Sequence, residues 1–422
     1  MTTLRLKTIP DADADFLNLP WSTPLEYWPD ELAVRLPRGR HRHVVRFIEY
    51  GGEYFACKEL RPDLADREYE LLDHLKEEGL PVVDLVGVAD DRTTPDGEPL
   101  DSVLITRHLA YSLPYLHLFA GRGSYGLHDH LIDALAVLLT QVHLAGVFWG
   151  DCSLGNTLFR RDAGELVAYL VDTETGEHHT TLTDGQRLHD LEIATENIAG
   201  GLYELEVLGR LPDGVDPFAV AEQLSDRYES LWAELTATDE VAGDELWRIQ
   251  ARMRRLNDLG FDVSEIEMVE TGATPGDGPQ QVAFRPRVVE EGHHKRELLR
   301  LTGIEAEENQ ARRLLSALHG YGAWLGREQG RELPDAVAAY RWLAERYEPT
   351  IATIPDDLRN RLTDAEIFHQ VLDHLWFLSE DAKADVGLET ATRAYVESIL
   401  PELPQERVVI ESDDLEDGLL TS

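Results

Sequence analysis

The chain has 422 residues, of which 43% are hydrophobic and 28% charged, a balance typical of a folded globular protein with two or three domains. It contains 39 lysines and arginines against 80 aspartates and glutamates, so its formal net charge at pH 7 is −41. A surface of this sign repels phosphate backbones and anionic lipids, which argues against broad nucleic-acid or membrane-surface binding.

The few cysteines and the hydropathy pattern predict a cytoplasmic protein. Cys57 and Cys152 cannot form a disulfide framework, which favours a reducing compartment. The N-terminal segment lacks the apolar core of a signal peptide. The most apolar stretch, 131–148, contains Asp133 and Gln141, which predicts a buried amphipathic helix rather than a membrane span.

The N-terminal part of the chain predicts a small β-sheet with one helix. Residues 44–60 alternate in the manner of strands on either side of Gly51-Gly52, which indicates a β-hairpin. A helix is predicted to begin at Pro62 and to end at Gly79. The apolar runs PVVDLVGV and SVLITRHL predict two further strands.

The rest of the chain is predicted to be mostly helical, with short strands at TLFRR and LVAYLVD, joined by the turn DAGE, and at EIEMVE and QVAFRPRVVE. The predicted helices occupy residues 128–145, 187–208, 217–236 and 246–259, together with most of the remaining region up to residue 402. The acidic tail that follows is predicted to be loose.

Three polar residues in the middle of the chain indicate phosphoryl transfer. The segment GDCSLGNTLF contains Asp151 and, five residues on, Asn156, and Asp172 ends the following hairpin. Transfer to a hydroxyl needs a carboxylate for the hydroxyl proton and oxygen ligands for Mg²⁺ on the nucleotide phosphates. Mg²⁺ prefers hard oxygen donors, which an aspartate and an asparagine supply. The alternative for all three is capping and turn formation.

An ion pair is predicted upstream of these residues. Lys58 lies in the second arm of the hairpin, and the next helix offers Glu68 and Glu70. Glu68 falls within the apolar stripe of that helix, whereas Glu70 falls on its polar side. A buried carboxylate requires a partner, and Lys58 is the candidate. An ordinary strand–helix ion pair is the alternative to a nucleotide-binding role.

The loop RLPRGRHRHVVR, which precedes the hairpin, is strongly cationic. It contains five arginines and no acidic residue. A loop of this charge can neutralise nucleotide phosphates, which makes Gly39 and Arg40 candidate nucleotide contacts. Docking of an acidic partner is the alternative.

Taken in order, these motifs resemble those of the protein-kinase-like superfamily. Gly150-Asp151-x4-Asn156 is similar to the catalytic loop of its aminoglycoside- and choline-kinase-like branch, and Asp172-Thr173-Glu174 stands in the place of Asp-Phe-Gly. The resemblance implies that Asp151 is the catalytic base and that Asn156 and Asp172 bind the metal.

Further residues extend the resemblance and limit it. It implies that Lys58 and Glu68 form the nucleotide-binding pair and that Asp190 braces the catalytic loop. Trp149 departs from the pattern, since histidine is common at this position. The whole chain is also similar to an actinobacterial domain-of-unknown-function family whose first half is lipopolysaccharide-kinase-like, through strings such as PRVVEEGHHKRELLRLTG and HLWFLSE.

The resemblance implies an α+β, two-lobed kinase-like fold with an α-rich C-terminal extension. The expected boundaries are an N-lobe at 1–110, a C-lobe at 111–236, a C-terminal domain at 240–402 and an acidic tail at 403–422. The implied activity is ATP- and Mg²⁺-dependent transfer to a hydroxyl of a small molecule or glycan, because little room for a protein-kinase activation segment follows Asp172.

Two questions stay open at this point. A pseudokinase that binds nucleotide as a scaffold is the alternative to an enzyme, and the C-terminal region would then bind a partner protein. A third reading makes the C-terminal region a substrate-binding or dimerisation module. In that region Glu366, His369 and His374 lie on one predicted helix. Polar positions beside an apolar stripe explain them better than a metal site, because a di-iron site needs two Glu-x-x-His motifs.

Overall fold

The computed structural model combines an antiparallel sheet with many helices, which confirms the α+β class. Among the helices it describes, none has both the length and the apolar character needed to cross a membrane. The described residues are 4–8, 14–34, 43–50, 53–112, 115, 127–212, 214–236, 239–241, 265–269, 282–287, 293–329, 333–359 and 361–403.

The N-terminal sheet has six antiparallel strands in the order β1-β5-β6-β4-β3-β2. They are β1 (Arg5–Thr8), β2 (Ala33–Val34), β3 (Val45–Tyr50), β4 (Glu53–Leu60), β5 (Leu85–Asp90) and β6 (Ser102–Arg107). The hairpin and the two later strands are confirmed. The edge strands β1 and β2 are not predicted from the sequence because each is very short and has no buried residue.

Helix α1 (Pro62–Glu77) packs on β5 and β6. Pro62 stands in the first turn, where its missing N–H is tolerated, and Gly79 follows the helix with a φ of 84°, which favours glycine. The apolar stripe of the helix is buried, and Glu68 is buried within it, while Glu70 is exposed. The helix therefore has the inner and outer faces that the sequence predicts.

The N-terminal segment packs against the strand that carries Lys58. Three 3-10 turns follow one another at Ala14–Asn18, Leu25–Tyr27 and Asp30–Leu32. Phe16, Trp21, Leu25 and Trp28 form a buried cluster with Cys57 and other sheet residues. Because neighbouring side chains of a strand point to opposite faces, Cys57 faces this cluster while Lys58 faces α1.

A buried arginine anchors this N-terminal segment. Arg92 has a side chain that is 0% exposed, and it donates hydrogen bonds to the carbonyls of Trp21 and Thr23 and to the carboxylate of Glu59. Glu59 in turn accepts from the N–H of Leu25. A buried guanidinium is tolerated only with such partners, so this network specifies the path of the segment.

The middle of the chain supplies the elements around the proposed catalytic loop. They are α2 (Leu127–Leu144), β7 (Val147–Phe148), β8 (Thr157–Asp162), β9 (Glu165–Leu170), β10 (Glu177–His178), α3 (Asp184–Val207) and α4 (Pro217–Thr236). Strands β7 and β10 pair with each other, as do β8 and β9. Helix α3 begins with a capping box formed by Thr183 and Gln186. The predicted helices and hairpin of this region are confirmed.

The C-terminal region is mainly helical around its own hydrophobic core. Its elements are β11 (Asp239–Val241), β12 (Glu265–Val269), β13 (Val282–Arg287), α5 (His293–Thr302), α6 (Glu308–Gln329), α7 (Asp335–Trp342), a π-helical turn (Leu343–Tyr347), α8 (Glu348–Ala352), α9 (Asp364–Ala382) and α10 (Leu388–Ser398). The two predicted strands are confirmed as β12 and β13, and β11 is an addition. The helix predicted at 246–259 lies outside the described residues, as does most of the acidic tail.

The chain folds into two compact units. The first contains the described parts of 1–160 and 167–226, and the second contains those of 161–166 and 227–406. The turn of the β8–β9 hairpin groups with the second unit, and the division after residue 226 falls within helix α4. The lobe and domain boundaries stay a prediction.

Within the second unit, Asp162 caps helix α6. Its carboxylate accepts hydrogen bonds from the N–H groups of Asn309 and Gln310, at 3.0 and 2.7 Å. Burial raises the pKa of Asp162 to about 7, and the nearby carboxylate of Glu307 adds to this shift, while Lys295 opposes it. The proton on Asp162 is therefore held more tightly in the folded state than in the unfolded chain.

Glu366 and His369, two of the three polar residues considered for a metal site in the C-terminal region, have polar partners within the chain. Glu366 accepts hydrogen bonds from the N–H of Ala163 and from the amides of Gln310 and Gln370. His369 lies 3.2 Å from the carboxylate of Asp373. Glu366 and His369 thus make contacts with other side chains and with the backbone of the chain.

Asp162 predicts a pH dependence of the second unit's stability. A raised pKa contributes stability that is present below the ordinary value of 3.8 and lost as pH rises through about 7. We therefore expect the unfolding midpoint of this unit to fall across that range, and Asp162→Asn to flatten the fall. Scanning calorimetry of the full chain at a series of pH values measures it, with exposed Asp381→Asn as the control. An unchanged slope in Asp162→Asn contradicts the assignment.

Candidate functional site

The predicted ion pair between β4 and α1 is present, and a third residue joins it. Lys58 Nζ lies 3.2 and 3.0 Å from the two carboxylate oxygens of Glu68, and 2.8 Å from Oδ2 of Asp172. The side chain of Glu68 is 1% exposed and that of Lys58 is 12% exposed, whereas Asp172 retains 21% exposure. The structure thus brings together residues that lie 114 positions apart in the chain.

The charges of this triad are strongly coupled. Burial raises the pKa of Glu68 to about 7, and Asp172 adds to the rise while Lys58 opposes it. Burial works against the charged form of Lys58, but the carboxylates of Glu68 and Asp172 outweigh it and raise the pKa of this ammonium. Lys58 is therefore a permanent cation whose position is determined by two acids.

Two amide side chains hold the carboxylate of Asp151. The amide nitrogen of Asn156 donates to Oδ2 at 3.1 Å and to the backbone carbonyl of Asp151 at 3.0 Å. The amide nitrogen of Asn197 donates to Oδ1 at 3.1 Å and to the carbonyl of Cys152 at 3.2 Å. Both carboxylate oxygens thus have a donor, and the loop Asp151–Asn156 is closed on itself.

Three hydrogen bonds join this loop to the segment that contains Asp172. The indole N–H of Trp149 donates to the carbonyl of Asp172 at 2.9 Å, and the hydroxyl of Thr175 donates to the carbonyl of Trp149 at 2.8 Å. The N–H of Val171 donates to the carbonyl of Asn156 at 3.1 Å. Trp149, which departs from the family pattern, therefore serves as a bridge between the two parts of the site.

Asp190 on helix α3 braces the start of the loop, as the resemblance implies. Its carboxylate accepts from the N–H groups of Trp149 and Gly150 at 2.6 and 2.8 Å, and from His143 at 3.0 Å. Asp190 and His143 are fully buried. Burial lowers the pKa of His143 although Asp190 opposes this, so the imidazole is neutral and donates from Nε2.

The backbone conformation at position 150 favours glycine. Gly150 has a φ of +77°, in the left-handed region, and an added Cβ would lie 3.0 Å from the ring of Phe148 and 3.3 Å from the carbonyl of Thr175. A side chain here would disturb the residue that immediately precedes Asp151.

The predicted nucleotide contacts of the cationic loop lie outside the described residues, whereas a contact between His43 and Glu174 was not predicted from the sequence. Gly39 and Arg40 of the cationic loop are not among the described residues. At the end of that loop, Nε2 of His43 lies 2.8 Å from a carboxylate oxygen of Glu174, which is also 3.9 Å from Lys58 Nζ. The N–H of Glu174 donates to Asp172 at 3.0 Å, so Glu174 lies beside the triad.

Asn197 contacts the carboxylate of Asp151, and the sequence analysis did not identify it as a site residue. It lies seven residues after Asp190 on the same helix, and two helical turns bring such positions to one face. The spacing from Asp190 was therefore a usable signal once that residue was assigned to the catalytic loop.

The two cysteines that adjoin site residues are structural. Both are 0% exposed, and burial raises the pKa of Cys57 to about 12 and that of Cys152 well above its ordinary value. A thiol of this kind is neither a nucleophile nor a redox sensor. They behave as small apolar residues of the core.

The donor set of the loop suits a hard divalent cation. The amide nitrogen of Asn156 is committed to Asp151, which leaves its amide oxygen as the atom that could ligate a metal. Asp172 accepts one hydrogen bond on each oxygen, and a carboxylate oxygen has a further lone pair. One carboxylate oxygen and one amide oxygen are hard donors of the kind that bind Mg²⁺ in proteins, where substrate phosphates complete its ligand set.

Two family models match separate parts of the chain. Residues 54–197 match the lipopolysaccharide kinase (Kdo/WaaP) family, and residues 230–400 match a domain of unknown function, DUF4032. The first match includes the triad, the loop and Asn197. The first part of the chain is thus similar to a family of the kinase-like superfamily, and the second part is similar to a domain of unknown function. No curated relative matches the chain.

Solved structures of kinases are among the matches. The chain is similar to WaaP in complex with acyl carrier protein, with 16% identity and a TM-score of 0.36 over 60% of this chain and 99% of that one. It is also similar to the BubR1 kinase domain, with 17% identity and a TM-score of 0.28 over 36% of this chain and 49% of that one.

The hydrogen bonds that Asp190 accepts predict that a nearly isosteric substitution at this position lowers the stability of the protein. Asp190→Asn replaces one of two accepting oxygens with an N–H₂ group, which leaves a buried backbone N–H without an acceptor. We expect the free energy of unfolding to fall by about 2 kcal/mol. Chemical denaturation measures it, and Glu192→Gln, on an exposed position of the same helix, is the control. Equal stability of the two variants would contradict the brace.

Proposed function

We propose that this chain transfers the γ-phosphoryl group of ATP to a hydroxyl of a small molecule or glycan, in the presence of Mg²⁺. The observation that carries the proposal is the convergence of Lys58, Glu68 and Asp172, joined by hydrogen bonds to the loop that holds Asp151 and Asn156. A cation fixed by two carboxylates, beside a third carboxylate that is held by hydrogen bonds, is the arrangement that phosphoryl transfer requires.

Each of these residues has its own role in the proposed reaction. Lys58 offers a fixed positive charge to the nucleotide phosphates, and Glu68 holds it in place. Asp151 accepts the proton of the acceptor hydroxyl while the oxygen of that hydroxyl forms a bond to the γ-phosphorus. The bond from that phosphorus to the bridging oxygen breaks, and ADP leaves with the electron pair. Positioning and charge neutralisation account for most of the catalysis in such a step.

Asn156 and Asp172 are the residues that would hold Mg²⁺. When bound, this ion neutralises negative charge on the phosphates. Within the chain, Lys58 already compensates part of the charge of Asp172 at 2.8 Å. Phosphate oxygens would take over some of the contacts that Lys58 now makes with carboxylates, so the triad is suited to exchange protein acceptors for nucleotide acceptors.

The segment after Asp172 supports a compact acceptor. It runs directly into strand β10, which pairs with β7, and then into helix α3 at Thr183. Little chain remains there to bind an extended protein substrate. ATP chemistry and two buried thiols suit a cytoplasmic location.

Two substitutions separate catalysis from nucleotide binding. Asp151→Asn removes the proton acceptor, so we expect turnover to fall by about 10²- to 10⁴-fold while Mg·ATP still raises the unfolding midpoint. Asp172→Ala removes a metal ligand and a partner of Lys58, so we expect that midpoint shift itself to be lost. Thermal-shift titration with Mg·ATP and an assay for loss of the γ-phosphate measure the two effects.

Asp184→Asn, on an exposed residue at the start of α3, is the matched control and should behave as the wild type. Unchanged turnover in Asp151→Asn would contradict the proposed role. Stabilisation by Mg·ATP without turnover in the wild-type chain would favour the pseudokinase alternative, in which the site binds nucleotide and the C-terminal region binds a partner.

A further inference from the structure

Asn197 makes a contact with the proposed base that neither the catalytic-loop motif nor the triad explains. It is half-buried on helix α3, and its amide nitrogen lies 3.1 Å from Oδ1 of Asp151 and 3.2 Å from the carbonyl of Cys152. The contact comes from a helix that lies 46 residues further along the chain. It is therefore independent of the local folding of the loop.

A single donor does not fix a carboxylate of this kind. The terminal torsion of an aspartate has a broad energy well, so one hydrogen bond leaves the carboxylate free to rotate. Asn156 donates to Oδ2 and Asn197 donates to Oδ1, from opposite ends of the carboxylate. Two donors on different elements define the plane of the group, and each oxygen keeps a lone pair for the acceptor hydroxyl.

The helix that presents Asn197 is itself fixed to the loop. Asp190, two turns earlier on α3, binds the N–H groups of Trp149 and Gly150 and is completely buried. The same helix thus holds the backbone before Asp151 and the side chain of Asp151. An amide has no net charge, so it orients the carboxylate without neutralising it.

We propose that Asn197 is a positioning residue for Asp151, holding its carboxylate in the orientation that receives the proton of the acceptor hydroxyl. This inference rests on the proposed function and extends it to a residue outside the catalytic loop. Displacement of a reacting group by about 1 Å lowers rates by roughly 10²-fold. Loss of the Asn197 contact should therefore act on turnover rather than on nucleotide binding.

The kinetic test uses Asn197→Leu, which keeps the approximate size and removes the donor, and Asn197→Asp, which keeps the shape. We expect both to lower the rate of γ-phosphate loss by about 10- to 100-fold at saturating Mg·ATP, with little change in KM for Mg·ATP. Glu196→Gln, an exposed neighbour on the same helix, is the control. Wild-type turnover in both Asn197 variants, or a parallel loss of Mg·ATP binding, would overturn the inference.

A second measurement does not depend on activity. The unfolding midpoints of Asp151→Ala, Asn197→Leu and the double variant form a cycle. We expect the unfolding midpoint of the double variant to fall by less than the sum of the falls in the two single variants, because either substitution removes the same hydrogen bond. Additive losses would overturn the inference. Absence of turnover in the wild-type chain would instead contradict the proposed function, so the two failures are distinguishable.

Discussion

The ammonium of Lys58, held between the carboxylates of Glu68 and Asp172, is the interaction on which the rest of the site depends. It joins a strand, a helix and a distant loop through one largely enclosed charge. An ammonium at this depth is stable only with close acids, and a buried Glu68 is stable only with a close cation. The surrounding core therefore has to keep all three elements in register.

Two parts of the fold maintain that register. The N-terminal segment, anchored by Arg92, packs against the face of β4 opposite to Lys58 and so fixes the strand. Helix α3 fixes the loop, because Asp190 binds its backbone and Asn197 binds its carboxylate. The position of Asp151 relative to Asp172 thus follows from packing and from hydrogen bonds to buried groups, not from the loop sequence alone.

Part of the site could be predicted from the order of Asp151, Asn156 and Asp172, and another part because one residue breaks a local rule. Glu68 interrupts an apolar helix face, which identified it as a buried acid that needs Lys58. Asn197 and His43 could not be found in this way, since a polar residue at a half-exposed position breaks no rule until its neighbours are known. The short strands β1 and β2 were missed because edge pairing, rather than hydrophobic alternation, defines them. The roles of the individual site residues remain predictions.

A crystal structure with a non-hydrolysable ATP analogue and Mg²⁺ tests the central claim most directly. The account predicts that Lys58 contacts the nucleotide phosphates while keeping Glu68 as its partner, and that the metal lies between the amide oxygen of Asn156 and the carboxylate of Asp172. A nucleotide bound elsewhere on the chain, or a metal that contacts neither residue, would contradict it.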